Sequence, residues 1–412
     1  MNHLSLSFSC LLLLTTSIAH GSGFTIGAQG AGAYGKLGAA VATVEDASAI
    51  FFNPAALTKL KQGQFYFGGT VRTSSLNYGE AVQGITVSTN SKGAPAATPH
   101  FFLSRPLNED LAIGLGVYTP YEIKIAWPSS HPQNDVVVTR DLLTTAISPT
   151  LAINLSKGAP GMRAAVAFDS LPTRYHLTRR VPYGQDFATA NTLVTGTGFG
   201  ARIALLYDPV IQSKIHFGLT WRSPVSLQLE GLTDFDSPPE YRAELPTDGD
   251  TTMDLKLPQN FVAGLAYDIT PKLTIEIDAE WTQYSKYTEE RFQWADGSKS
   301  TFVKQWKDSL SIRAGISTIT ALAQLRAGYE VSMTPVPMST LDASFPDANR
   351  QSISVGAGFS MIEGVTFDIA GIYHIPVSRR SSYVDYVPPH KATYEISSIQ
   401  VVASIGTSFG AF

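Results

Sequence analysis

The residues of this 412-residue chain with the types and spacing to do chemistry are charges set two apart. Glu276, Asp278 and Glu280 alternate with Ile275, Ile277 and Ala279, while Arg222, Arg313, Arg326 and Glu330 hold the polar phase of other alternating runs. Successive side chains of an extended chain point to opposite faces, so each set shares one face. Such a face either binds a carboxylate ligand or forms a hydrated ladder of ion pairs that stiffens a wall, and the ladder is the default reading.

Two enzyme-like spacings carry no enzyme. Gly30-Ala31-Gly32-Ala33-Tyr34-Gly35 has the GxGxxG spacing, but no strand–helix–strand unit frames it and no acidic residue follows about 20 positions on. It reads as a small-residue stretch suited to close packing. Gly406-Thr407-Ser408-Phe409-Gly410 has the GxSxG spacing, yet it lies at the chain end with no helix to follow it. The 8 histidines are scattered without metal-ligand spacing, and the one cysteine, Cys10, falls in a leader. No cofactor, metal or catalytic group is implied. A net charge of −4 without basic blocks gives no reason to expect a nucleic-acid partner.

The elements that position the charges are strands. Charged residues make up 16% of the chain, below the roughly 25% of soluble proteins. No mature segment approaches the ~20 apolar residues of a membrane helix. Alternating runs start near Gln64, Ala96, Leu111, Val138, Arg163, Val194, Ile215, Asp254, Leu273, Phe302, Leu322, Gln351, Val365 and Thr393. In the run from Ile215, the residues Phe217, Leu219, Trp221, Val225, Leu227 and Leu229 share one face. Short connections (Pro106 to Asp110, Ser156 to Pro160, Pro209 to Ser213) alternate with long ones (Tyr78 to Gly93, Arg179 to Thr192, Pro335 to Asn349). Tight turns at one end and long loops at the other are the asymmetry of an outer-membrane barrel. The expected fold is all-β, an antiparallel transmembrane β-barrel of about fourteen strands over residues 61–412, in the bacterial outer membrane. Charges then face the lumen, since on the lipid side each costs up to ~2–4 kcal/mol at the midplane. A soluble β-sandwich explains neither the loop asymmetry nor apolar faces turned outward all round.

Residues 1–21 read as a signal peptide, with an apolar core from Phe8 to Leu14 and small residues at Ala19 and Gly21, although no Lys or Arg precedes the core. Ser22 to Leu60 is rich in Gly and Ala and reads as neither strand nor loop; it is expected to be a hatch that plugs the lumen. The chain ends in Phe412, like an outer-membrane assembly signal, but out of phase with Ile405 and Phe409. A bulge near Gly410 restores the phase.

The order of motifs resembles the FadL family of outer-membrane transporters of hydrophobic compounds. They are SGF (Ser22, Gly23, Phe24), EDASAIFFNPAAL with Asn53, Pro54 and Ala55, LAIGLGVYTPY from Leu111, LTWRSPVSLQLEG from Leu219, AEWTQYSKY from Ala279, LRAGYEVSMTPVP from Leu325, and the terminal Phe412. The resemblance implies passive transport of long-chain fatty acids or aromatic hydrocarbons. The ligand is bound in the lumen near Phe24 and leaves sideways through a kink in the third strand, where Gly114, Gly116 and Pro120 interrupt the ladder. It also implies a monomer among outer-membrane lipid and lipopolysaccharide, inserted by the assembly machinery. Asn53-Pro54-Ala55 is expected to fix the hatch against the wall. A slip near Pro172 is expected to turn Arg174 and His176 inward, making Arg174 a carboxylate partner. The rival readings are a general porin for polar solutes and an outer-membrane hydrolase, the latter lacking a Ser/His constellation.

Overall fold

The computed structural model describes residues 23–82, 85–93, 95–183, 186–209, 214–382 and 391–411; the leader, Ser22 and Phe412 lie outside them. Period-two alternation does in the structure what it does in the sequence. Along Thr139–Asn154, for example, every second side chain is buried toward the lumen and its neighbours face out.

Nineteen hydrogen-bonded segments merge at five places into fourteen strands. They are β1 (Gln62–Val82), β2 (Ile85–Asn90 and Ala96–Pro106), β3 (Leu111–Ala126), β4 (Thr139–Asn154), β5 (Met162–Tyr183), β6 (Asp186–Tyr207) and β7 (Ile215–Arg222 and Val225–Asp236). The rest are β8 (Gly249–Leu257 and Asn260–Thr270), β9 (Leu273–Thr282 and Glu289–Gln293), β10 (Lys299–Val303 and Ser309–Ile319), β11 (Gln324–Ser332), β12 (Arg350–Ile362), β13 (Val365–Arg380) and β14 (Thr393–Ala411). Each pairs antiparallel with its sequence neighbours, and β1 closes the barrel on β14 from Gly79↔Thr393 to Gln62↔Ala411. Closure removes sheet edges, the condition for a β-structure in lipid. Gly410, at φ 57°, is skipped in that ladder, so the expected bulge is present.

The outward face carries Phe67, Phe168, Phe199, Phe217, Ile277, Ile312, Val355 and Ile399, all exposed and spread around the barrel. In water this would be a severe liability; against hydrocarbon it is the required surface. Two expected long loops are instead strand: β1 and β5 run on to Val82 and Tyr183 before turning back. The wall therefore stands well above the hydrocarbon on the long-loop side.

That extra height explains a further departure. Phe217 and Leu219 face out as expected, but Val225, Leu227 and Leu229 are buried in the lumen. The pairing of β7 with β6 slips by one residue at Ser223-Pro224, between Arg202↔Arg222 and Val194↔Gly231, and a one-residue slip exchanges the faces. On β8 the buried phase likewise changes across Pro258, from Leu255 and Leu257 to Val262 and Ala266. Below the slips the outside is lipid and must be apolar. Above them the outward phase of these strands carries Ser226, Gln228, Glu230 and Lys256, with Leu193 and Leu232 as apolar exceptions, while Val225, Leu227 and Leu229 turn inward.

Residues 23–60 lie within the barrel. They form two short helices, α1 (Ala31–Tyr34) and α2 (Ala49–Phe52), then a 3-10 turn, Pro54–Lys59, that leads into β1. Nearly all of this segment is buried, and it touches opposite walls: Ser354 on β12 donates to the Gly35 carbonyl at 2.8 Å, and Asn53 donates to the Leu205 carbonyl on β6 at 3.0 Å. Gly30, at φ 153°, starts α1 with space for no side chain, since a Cβ there would meet Ser48 at 3.0 Å.

Candidate transport site

The third strand leaves the wall. β3 pairs with β2 only from Pro106↔Ala112 to Phe101↔Val117, whereas it stays with β4 up to Ala126↔Thr139. Between Tyr118 and Tyr121 its register against β4 slips by one residue, across Thr119-Pro120, where Pro120 has no amide to give. All six residues from Tyr118 to Ile123 are buried, so the strand is covered on both faces. Its new partner is the N-terminal segment. Thr25 bridges Tyr121, the Ile26 amide donates to the Pro120 carbonyl at 2.8 Å, and the Glu122 amide donates to the Phe24 carbonyl at 3.0 Å. β2 meanwhile keeps β1 as partner from Gly68↔His100 to Arg72↔Ala96. β2 and β3 are therefore not paired with each other between Phe101↔Val117 and the Lys92 amide on the Ala126 carbonyl at 2.8 Å.

Gly114 and Gly116 do not make this break in pairing, contrary to expectation. Both are paired on each side, with Ser104 and Phe102 on β2 and with Thr150 and Ser148 on β4. They form a socket: a Cβ at Gly114 would come within 2.7 Å of Ile50 Cδ1, and one at Gly116 within 2.8 Å of Ile50 Cγ2. Of the three expected residues, only Pro120 sits at the break.

Phe24 is buried at the level of the break in an aromatic cage. Its ring centroid lies 5.8 Å from Tyr121, 5.2 Å from Tyr284, 5.6 Å from Tyr287 and 5.7 Å from Trp306, three of the four contacts edge-on. On the long-loop side the lumen wall is largely apolar, with Leu171, Tyr175, Val194, Leu229, Met253 and Phe292 all buried around one charged cluster, in which Arg140 contacts Glu290 and Lys304 reaches Asp342 at 3.3 Å. On the other side it is charged. Arg313 contacts Glu280 and, at 3.1 Å, Glu330; Arg326 reaches Asp368 at 2.6 Å; Lys36 reaches Glu276 at 3.0 Å. Asp278 accepts the amides of Ala40 and Val41 at 3.0 and 3.1 Å. All seven expected lumen charges face inward, and the ladder extends to the N-terminal segment. Between the two zones lies a cavity of about 140 Å³, bordered by Thr25, Glu122, Arg72, Arg222 and Arg313.

Comparison with known proteins settles the affiliation. The family model described as outer membrane protein transport protein (OMPP1/FadL/TodX) matches residues 12–387. The chain belongs to this family. Its members transport hydrophobic compounds across the bacterial outer membrane, and they are transporters rather than enzymes. The long-chain fatty acid transport protein of Salmonella typhi is 22% identical over 363 residues, 81% of this chain and 82% of that one. The crystal structure of a Pseudomonas aeruginosa FadL homologue superposes with a TM-score of 0.83 at 16% identity, covering 94% of this chain and 99% of the other. The P. putida toluene transporter TodX gives 0.75 at 14% identity, covering 93% and 99%.

Within this FadL-type barrel the remaining expected residues fall as follows. Gly23, at φ 61°, lies against Tyr284, where a Cβ would come within 2.5 Å of the ring. Asn53 is buried; its Nδ2 donates to the Val41 and Leu205 carbonyls at 2.7 and 3.0 Å, and its Oδ1 accepts the Ala55 amide at 3.1 Å, with Pro54 starting the 3-10 turn. Arg174 and His176 face out. β5 pairs with β6 without a slip through Pro172↔Thr197, and Arg174 meets Asp141 at 3.1 Å on the exposed face. The reason is the height of the wall: above the hydrocarbon an outward charge costs little. Arg202 and Asp169 are two buried charges that no alternation argument singled out. Their signal was present, a charge in the inward phase beside outward Ile203 and Phe168.

Proposed function

We propose that this protein passes hydrophobic compounds, long-chain fatty acids or aromatic hydrocarbons, from the outside into the outer membrane through the window between β2 and β3. The observation that carries the reading is the break after Phe101↔Val117, where β3 exchanges β2 for residues 24–26. An apolar solute gains by leaving water for the apolar upper lumen and then for the cage around Phe24. Straight passage beyond the cage meets the charged lumen and the hatch, residues 23–60, so the favourable route is sideways into lipid. The named activities of the relatives, fatty acid transport for one and toluene transport for another, agree with this solute class.

Deleting Pro120 tests it, because this removes the extra residue between Tyr118↔Ala146 and Tyr121↔Thr144 and allows an unbroken ladder. Oleate or toluene uptake by cells carrying the variant is expected to fall to the level of cells without the protein, while heat-modifiable migration in gels shows an intact barrel. Uptake at the wild-type rate through a folded variant overturns the window.

A further inference from the structure

We propose that Arg202 is the positioning residue that couples the seat of the hatch to the departure of β3 from the wall. Arg202 projects inward from β6 with its side chain 2% exposed. Nη1 donates to the carbonyls of Ile50 and, at 3.2 Å, Phe51, at the end of α2. A four-residue helix leaves these acceptors without main-chain donors. Nη2 donates to the Tyr118 hydroxyl and to both carboxylate oxygens of Asp169, at 2.9 and 3.2 Å. Tyr118 is the last residue of β3 in register with β4 before the slip. Its hydroxyl also contacts Ser148 at 2.9 Å, and Ser148 bonds Asp169. One guanidinium thus holds the hatch, the hinge of β3 and the fixed wall of β4 to β6.

The chemistry suits arginine alone. A planar fork of five N–H groups serves acceptors on two sides at once, whereas a lysine ammonium is a single point charge on a flexible stem. The Phe51 ring lies edge-on to Tyr118 at 5.2 Å, so movement of α2 also removes packing from the hinge. Gln29 on the Thr119 carbonyl, Ile26 on the Pro120 carbonyl and Thr25 at Tyr121 hold β3 at the slip and just beyond it; Arg202 holds Tyr118 immediately before it. With both in place the hatch keeps β3 inward. With Arg202 gone, α2 and Tyr118 move independently and β3 is released toward β2.

This coupling rests on the reading that solute leaves through the window, and the experiment separates the two. Arg202→Met, Arg202→Lys and Tyr118→Phe are compared with the wild-type full-length barrel in detergent by hydrogen exchange, and in cells by oleate uptake. Heat-modifiable migration establishes that each barrel is folded. Arg202→Met is expected to speed exchange at least tenfold at both 50–53 and 119–123, with 164–168 on β5 unchanged, and to lower the maximal uptake rate at least fivefold without changing oleate affinity. Tyr118→Phe should loosen 119–123 alone. Arg202→Lys should resemble the Met variant at 119–123, because charge without the fork does not hold both sides. Faster exchange at 50–53 with 119–123 unchanged overturns the coupling, as does a uniform rise that includes 164–168. Loosening at both segments with wild-type uptake supports the coupling and overturns the window instead. If Arg202→Met does not fold, unchanged exchange at 119–123 in Tyr118→Phe overturns the proposal.

Discussion

The amide of Ile26 donates to the carbonyl of Pro120 at 2.8 Å, so β3 continues its ladder on the hatch after leaving the wall. Main-chain groups facing hydrocarbon are costly to leave without partners. The bond gives β3 a partner inside the barrel where β2 no longer pairs with it. The strand that stays, β2, carries Pro99 in its unpaired stretch, which gives that edge one amide fewer to satisfy.

Phe24 holds the hatch end of this arrangement. Phe24→Ala removes a ring with four aromatic neighbours, a change of about 3–5 kcal/mol for a fully buried phenylalanine. Because that loss falls on hatch docking rather than on the barrel ladder, the amides of Ile26 and Glu122 should exchange faster while those of Phe217 to Leu219 stay protected. Equal protection at both places contradicts the role given to the ring.

Gly114 tests the socket. In Gly114→Val a Cβ would meet Ile50 within 2.7 Å and Leu57 within 3.1 Å, and overpacking of this kind costs about 1–3 kcal/mol. The hatch should seat poorly, and ion conductance in planar bilayers should rise. Exchange at 112–117 should remain slow, since Gly114 is paired on both sides. Rapid exchange there in the wild type would restore the glycines to the window.

Arg174→Ala is expected to leave oleate affinity unchanged and to alter stability by no more than about 1 kcal/mol, the range of an exposed ion pair. Isothermal titration of the folded barrel checks the affinity, and denaturant unfolding checks the stability. A tenfold loss of affinity would return Arg174 to the lumen.

The strands and their number were legible because alternation is written into every run, and closure follows from alternation in a lipid setting. Arg174 was misread because alternation says which residues share a face but not where the hydrocarbon ends. Val225, Leu227 and Leu229 were misplaced for the same reason, although Ser223-Pro224 marked the place where a ladder can slip. Gly114 and Gly116 looked like breaks because a glycine in a strand has two meanings, weakness and close approach. Only the position of Ile50 across the lumen decides between them. Arg202 went unread because its partners, at Ile50, Tyr118 and Asp169, lie on three separate parts of the chain.

Loop 333–349 offers a pH test. Asp347 accepts the Thr334 hydroxyl at 2.7 Å, and burial raises its carboxyl above the usual value of 3.8, against the opposing Thr334 hydrogen bond and the nearby Arg350 and Arg379. A carboxyl raised in the folded state binds more protons there than when unfolded. Its contribution to docking of the loop is therefore full below pH 3.8 and is lost as pH rises through the raised value. Protease nicking of the loop should grow more rapid over that interval, and Asp347→Asn should flatten the dependence.

Removal of residues 22–42 makes the strongest demand on the hatch. In the intact protein Asp278 accepts the amides of Ala40 and Val41, and Glu276 accepts the Ala42 amide at 2.7 Å and the Lys36 ammonium at 3.0 Å. Deletion takes away these four donors, leaving of the hatch only the Thr43 hydroxyl that donates to Glu276, and leaves two carboxylates on adjacent inward positions of β9, hydrated rather than buried because water fills the vacated lumen. The barrel ladder is untouched, since β1 starts at Gln62. The truncated protein should therefore insert and conduct ions where the intact one is quiet. With Glu276 and Asp278 uncompensated, the current should be cation-selective, and adding Glu276→Gln with Asp278→Asn should abolish the selectivity but not the conductance. Reversal potentials across a salt gradient read both. A truncated barrel that stays closed to small ions would show that residues 43–60 and the wall side chains close the lumen without the rest, and the plug assigned to 22–42 would be wrong.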